Sequence, residues 1–201
     1  MYFKEDIKQN FSNLEIFNIF SKNKKILYFM FEKNMIIPDD SIIDILAKPS
    51  NNIYLMPVIE MYYTDQPFLD DDQEKKEKRK SGENDSTIAK LIREDSVEEF
   101  ITYITKQNYK PNCKISKSHF ETNPLLNSKE PTLIEYAAFF GSIQIFRYLA
   151  MNDADLTPSL WIYSIHSRNS ELIHIIEEFQ VELDENTLEK CIIEAIKCHH
   201  N

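Results

Sequence analysis

The chain has 201 residues, is 42% hydrophobic and carries a net charge of −10. Its two glycines, Gly82 and Gly141, are too few for the turns of an all-β fold, and they cannot supply a Walker loop or a Rossmann fingerprint. The acidic balance argues against nucleic acid as a partner, and three cysteines without a CxxC pair point to reduced thiols in a cytosolic or nuclear protein.

The opening residues "MYFKEDIKQN" are charged and lack the apolar core of a signal peptide. The most apolar run, "ILYFMF" at 26–31, is too short to span a bilayer, so no membrane association is expected. Residues 1–68 read as a degenerate helical region. Residues 70–86 contain no apolar side chain, which predicts a disordered charged linker over 69–86, because such a stretch cannot offset its ordering entropy by burial. The basic run "KKEKRK" at 75–80 within it matches a loose nuclear-import pattern in a chain otherwise expected in the cytoplasm.

Beyond the linker, apolar residues recur at helical spacing in "SVEEFITYI" (96–104), "SIQIFRYLA" (142–150), "ELIHIIEEF" (171–179) and "TLEKCIIEAIKC" (187–198). Asp95-Ser96, Gly141-Ser142 and Asn169-Ser170 precede second helices, and Asn186-Thr187 starts another. The segments "NKKILYFM" (from 23), "DSVEEFITYI" (from 95), "GSIQIFRYL" (from 141) and "NSELIHII" (from 169) can be laid over one another. Short helices repeating at intervals of roughly 30 residues signal a solenoid of helix-turn-helix units.

Residues 131–156, "PTLIEYAAFFGSIQIFRYLAMNDADL", resemble an ankyrin repeat. Thr132 stands at the opening threonine and Ile134 at the leucine. Ala137 and Ala138 match the alanine pair, and Gly141 the turn glycine. Ile145, Phe146 and Leu149 match the second helix's core, and Ala154 and Asp155 the closing "AD". Leu133 and Glu135 replace the usual proline and histidine, and Asp153 replaces a glycine that normally takes the left-handed conformation. Clear repeats are expected over about 130–158 and 159–186, with only the first helix of a further repeat from 187 to 201. Residues 87–130 read as a degenerate repeat with an insertion around "YKPNCKISKSHFETNPLL". The arrangement resembles the divergent ankyrin family expanded in some parasitic protists. What that resemblance implies is an all-α, ankyrin-type helix-turn-helix solenoid, with degenerate N-terminal helical repeats and clearer C-terminal ones.

The resemblance further implies protein binding through the concave face and loop tips, with no reaction attached. Phe139, Phe140, Glu135 and Tyr163 are the candidate contact residues, with one phenylalanine expected in the core; Trp161 is expected in the core and Tyr163 on the concave face. The run "CHH" at 198–200, with Cys191, reads as small core cysteines beside exposed histidines, so no metal or cofactor is expected. Cys113 with His166 or His174 lacks an orienting third group and is not read as a catalyst. The acidic residues spread over 171–194 read as solvated surface. The chain is expected to be a monomer that binds an unidentified protein. The alternatives are an accessory module of a larger protein whose catalytic domain lies outside this chain, or a structural spacer.

Overall fold

The computed structural model describes residues 7, 9–47, 53–64 and 72–198. Among them lie thirteen α-helices and no strand, with one isolated antiparallel bridge between Lys114 and Thr132. No helix among the described residues is long and apolar enough to cross a membrane.

The chain folds as two compact units. The first comprises residues 1–85 and 117–128, the second residues 86–116 and 129–201. The first contains α1 (Asn13–Phe20), α2 (Lys24–Glu32), α3 (Asp40–Leu46), α4 (Met56–Thr64) and α5 (Gln73–Ser81). The apolar run at 26–31 lies in α2, where Leu27, Tyr28, Met30 and Phe31 are buried against Phe17, Ile42 and Tyr54.

The expected disordered linker is helical from Gln73 to Ser81; its residues 69–71 lie outside the described residues. Local signals account for part of the difference. Asp72 caps the helix by accepting from the Lys75 amide, Gly82 ends it in the left-handed conformation, and Lys78, Arg79 and Lys80 occupy the last turn, where cations oppose the helix dipole. The larger part is Arg79. Its guanidinium is buried and donates to the carbonyls of Tyr54 (2.8 Å) and Ile53 (2.9 Å), while the Tyr54 hydroxyl donates back to the Arg79 carbonyl. A planar charged fork satisfies buried carbonyls that no apolar residue could, so a stretch without apolar side chains still packs.

The domain boundary differs in a second way. Residues 117–128, expected as an insertion in the C-terminal domain, belong with the first unit. Phe120 is buried in that unit's core, and the Thr122 amide and hydroxyl both donate to the Gly82 carbonyl (2.9 and 2.8 Å). Phe120 of this stretch thus packs against a partner distant in sequence, which periodicity cannot reveal.

The second unit contains α6 (Thr87–Arg93), α7 (Val97–Lys106), α9 (Leu133–Phe140), α10 (Ile143–Met151), α11 (Ser159–Ser167), α12 (Ser170–Glu178) and α13 (Glu185–Lys197), while α8 (Pro124–Lys129), which precedes α9 in the chain, lies in the first unit up to residue 128. Three hairpins follow one another: α6 with α7, α9 with α10, α11 with α12. The first helices pack in succession, α6 on α9, α9 on α11 and α11 on α13, and α7 packs on α10. Ala137 and Ala138 are fully buried on α9, where small side chains let its neighbours approach.

Each hairpin uses left-handed residues at the same two places. Asp95, Gly141 and Arg168 sit in the inner turns, and Asn108, Asp153 and Gln180 at the exits. At the exits the next amide closes the helix on a carbonyl five residues back: Tyr109 on Ile104 (2.9 Å), Ala154 on Leu149 (3.1 Å) and Val181 on Ile176 (3.2 Å). Asn34 and Met35 repeat this closure on Met30 (2.8 Å) after α2 in the first unit.

Neighbouring hairpins are also capped by one another. Ser142 makes no side-chain cap for α10; instead the Asp95 carboxylate accepts from the amides of Gln144 (3.0 Å) and Ile145 (2.9 Å). The Ser142 hydroxyl donates to the Ile92 carbonyl. The last helix begins at Glu185, two residues before the sequence signal at Thr187, because Asp184 takes the cap and accepts from the Thr187 amide (2.6 Å).

Two outcomes test these packing claims by urea unfolding. Arg79→Ala leaves two carbonyls of the first unit without their donor and should cost about 3 kcal/mol, with Arg79→Lys recovering only part of it. Gly141→Ala places a Cβ 3.1 Å from that of Ser167 on a residue at φ 71°, and should cost about 1–2 kcal/mol.

Candidate functional site

The four sequence-predicted contact residues all belong to the first helices of the second and third hairpins of the second unit. Glu135 is the third residue of α9 and closes a capping box. Its carboxylate accepts from the Thr132 amide (2.8 Å) while its own amide donates to the Thr132 hydroxyl (3.3 Å). The second carboxylate oxygen accepts from the Ser159 hydroxyl at the start of α11. Glu135 therefore ties one hairpin's start to the next. The pattern T-x-x-E was readable as a capping box in "TLIE".

Phe139 is buried, and its ring stacks on His166 of α11 at 4.3 Å with 23° between planes. Phe140 is half-buried, with Tyr136 at 4.8 Å on one side and the Arg93 guanidinium over its ring at 5.8 Å. Arg93 also donates to the Tyr136 hydroxyl (2.9 Å). Phe140 thus keeps an open edge on a clamped ring, and Phe139 does not.

Tyr163 and Trp161 both depart from their expected burial. Tyr163 is 2% exposed, so it offers no concave-face contact. Trp161 is half-buried and donates its indole N–H to the Val181 carbonyl (3.2 Å). The amphipathic indole bridges to a loop carbonyl, whereas the phenol turns inward; helical spacing alone did not separate two aromatics two residues apart. Burial, and secondarily the nearby Glu135 charge, pushes the Tyr163 phenol above its usual range.

The last helix presents an unusual division of faces. Thr187 is buried, and Cys191, Glu194 and Cys198 are partly covered on its inner side. Its outer side carries Leu188, Ile192, Ile193 and Ile196, which are 46–68% exposed. The spacing 188, 192, 196 forms one stripe along the helix.

On the inner side, Glu194 meets His166 of α11, Nε2 lying 3.0 Å from Oε1. The Cys198 Sγ lies 3.4 Å from Nδ1 and 3.7 Å from Nε2 of the same ring. Burial opposes the Glu194 charge, but hydrogen bonds from Lys197 and His166 hold its carboxyl below the usual glutamate range. Burial and the Glu194 charge push the Cys198 thiol up. In the sequence, Cys198 stands beside His199 and His200, expected as exposed histidines with no metal; those two lie outside the described residues, and the histidine that meets Cys198 comes from another helix. Cys113 meets neither His166 nor His174: its Sγ accepts from the Lys110 amide (3.3 Å), and His174 pairs with Glu177 (3.2 Å).

Comparison with protein-family models, with curated proteins and with solved structures returned no match in any of the three.

The two phenylalanines should separate on truncation. Phe139→Ala opens a cavity beside His166 and should cost about 3–4 kcal/mol, whereas Phe140→Ala should cost about 1 kcal/mol, both read from chemical unfolding. A raised phenol pKa means that Tyr163 contributes stability in full below the unfolded phenol range and loses it as pH rises past about 10. Tyr163→Phe should therefore move the alkaline unfolding midpoint to higher pH, while neutral-pH stability changes by no more than about 1 kcal/mol.

Proposed function

We propose that the chain is a non-catalytic scaffold that binds another protein through an ankyrin-type solenoid of stacked helical hairpins. The observation that carries this reading is the recurrence of one backbone device. Gly141 and Asp153 in one hairpin recur as Arg168 and Gln180 in the next, a spacing of about 27 residues, and Asp95 and Asn108 hold the same places in the hairpin before. Repeats of this kind stabilise one another only through neighbours, and they present a row of turns and helix edges as a binding surface.

Two features supply candidate anchors on that surface. Phe140 is a clamped ring with an open edge, and rigid aromatics of this kind dominate interface energy. The aliphatic stripe of α13 is the second. The helices α9 and α11 each have a first-helix neighbour on two sides, whereas α13 has α11 alone among the described residues. The occupant that fits such a stripe is the apolar face of one more helix.

The reading is tested by crosslinking capture from native cytosol followed by mass spectrometry, with three forms of the full chain. Wild type should retain one protein saturably. Ile192→Glu/Ile196→Glu should reduce that retention at least about tenfold, and Phe140→Ala should reduce it less, with helix content unchanged in both. No saturable capture, or capture indifferent to both variants, contradicts the proposal and favours a structural spacer.

A further inference from the structure

We propose that His166, Glu194 and Cys198 form a binding site for one divalent transition ion of the zinc class, which clips α13 onto α11. The three side chains offer a nitrogen, a carboxylate oxygen and a sulfur, and these atoms all lie within 4.8 Å of one another. Ligand atoms around one tetrahedral zinc, with bonds near 2.0–2.3 Å, stand roughly 3.2–3.7 Å apart. Nε2 of His166 lies 3.0 Å from Oε1 of Glu194 and 3.7 Å from Sγ of Cys198, close to that requirement, and the Cys198 sulfur reaches the carboxylate from within 4.8 Å by a movement on the order of 1 Å.

Placement favours a built site over a chance cluster. Glu194 and Cys198 stand one turn apart on the same face of α13, the spacing at which two helical side chains converge on one ion. The third ligand comes from a different helix, so an ion would join two elements rather than decorate one. His166 is held by its stack on Phe139, which limits ring rotation, and the far oxygen of Glu194 accepts from Lys197 (3.1 Å). Such outer contacts orient ligands in metal sites. The His166 and Glu194 side chains are only 12% and 14% exposed, so water competes weakly.

The chemistry of the set narrows the ion. A thiolate with an imidazole selects zinc or its neighbours over magnesium and calcium, which prefer oxygen alone. Binding requires the Cys198 thiol to lose its proton, which an ion enforces outright even where burial holds that proton in place. Three protein ligands leave one position for water or a further donor. This site is independent of the apolar stripe on the outer side of α13, so it neither assumes nor requires the scaffold reading.

The test uses the full chain stripped with a chelator. Zinc uptake is read by competition with a chromophoric chelator, and cobalt substitution by the thiolate-to-cobalt charge-transfer band in the near ultraviolet. One ion should bind per chain and raise the melting temperature. Cys198→Ser should abolish the cobalt charge-transfer band. Glu194→Gln and His166→Gln should each weaken zinc binding at least about tenfold, with helix content checked by circular dichroism. His199→Ala/His200→Ala should leave zinc binding within about threefold of wild type. The proposal is overturned if the wild-type chain takes up no zinc, if it shows no cobalt–thiolate band, or if binding survives Cys198→Ser and Glu194→Gln but is lost in the His199/His200 variant.

Discussion

The second unit depends on a backbone constraint: a hairpin of short helices must reverse direction twice within a few residues, and each reversal needs a left-handed residue. Six residues meet this need there, and only Gly141 among them is glycine. The others are Asp95, Asn108, Asp153, Arg168 and Gln180. Asparagine and aspartate tolerate the conformation best among residues with a Cβ, and arginine and glutamine carry more strain. What holds the exit residues in place is the hydrogen bond that the closure makes. At the exits, an amide that would otherwise be orphaned at the helix end reaches a carbonyl five residues back. A chain with two glycines can therefore build successive tight hairpins, because polar side chains, three of them the short Asp95, Asn108 and Asp153, and satisfied exit amides replace glycine.

Once the turns are fixed, they place the groups that join hairpins. Asp95 is both a turn residue and the cap of α10 in the next hairpin. Glu135 caps its own helix and accepts from Ser159 in the following one. Short helices that are marginal alone gain order from these reciprocal contacts and from apolar packing of successive first helices. The first unit meets its own problem differently. Its charged helix α5 carries one buried guanidinium, and the Tyr54 and Ile53 carbonyls hold it.

The all-α class and most helix positions followed from the spacing of apolar residues, since the segments at 96–104, 142–150 and 171–179 keep a helical period and form helices. The turn at Gly141 and the left-handed Asp153 were also readable, because each residue type has a reason to stand there. Three things were not readable. Arg79 is charged, and its burial depends on two carbonyls about 25 residues away that no local pattern marks. Phe120 looked like part of a loop insertion and proved to be core of the first unit. His166 meets Glu194 and Cys198 only because α13 packs on α11, so neighbours in sequence show Cys198 beside His199 and His200 alone and give no metal expectation. The burial of Tyr163 and the half-exposure of Trp161 have a related cause. The indole finds an acceptor in the Val181 carbonyl, twenty residues on, which helical spacing does not mark.

The most direct test of the repeated-hairpin account is native-state amide hydrogen exchange in the full chain. If Tyr109, Ala154 and Val181 close three equivalent hairpins, their amides are protected to a degree similar to Phe146 inside α10, although all three lie beyond the helix ends. Exchange of these three at the rate of an unstructured peptide, with Phe146 still protected, would contradict the account.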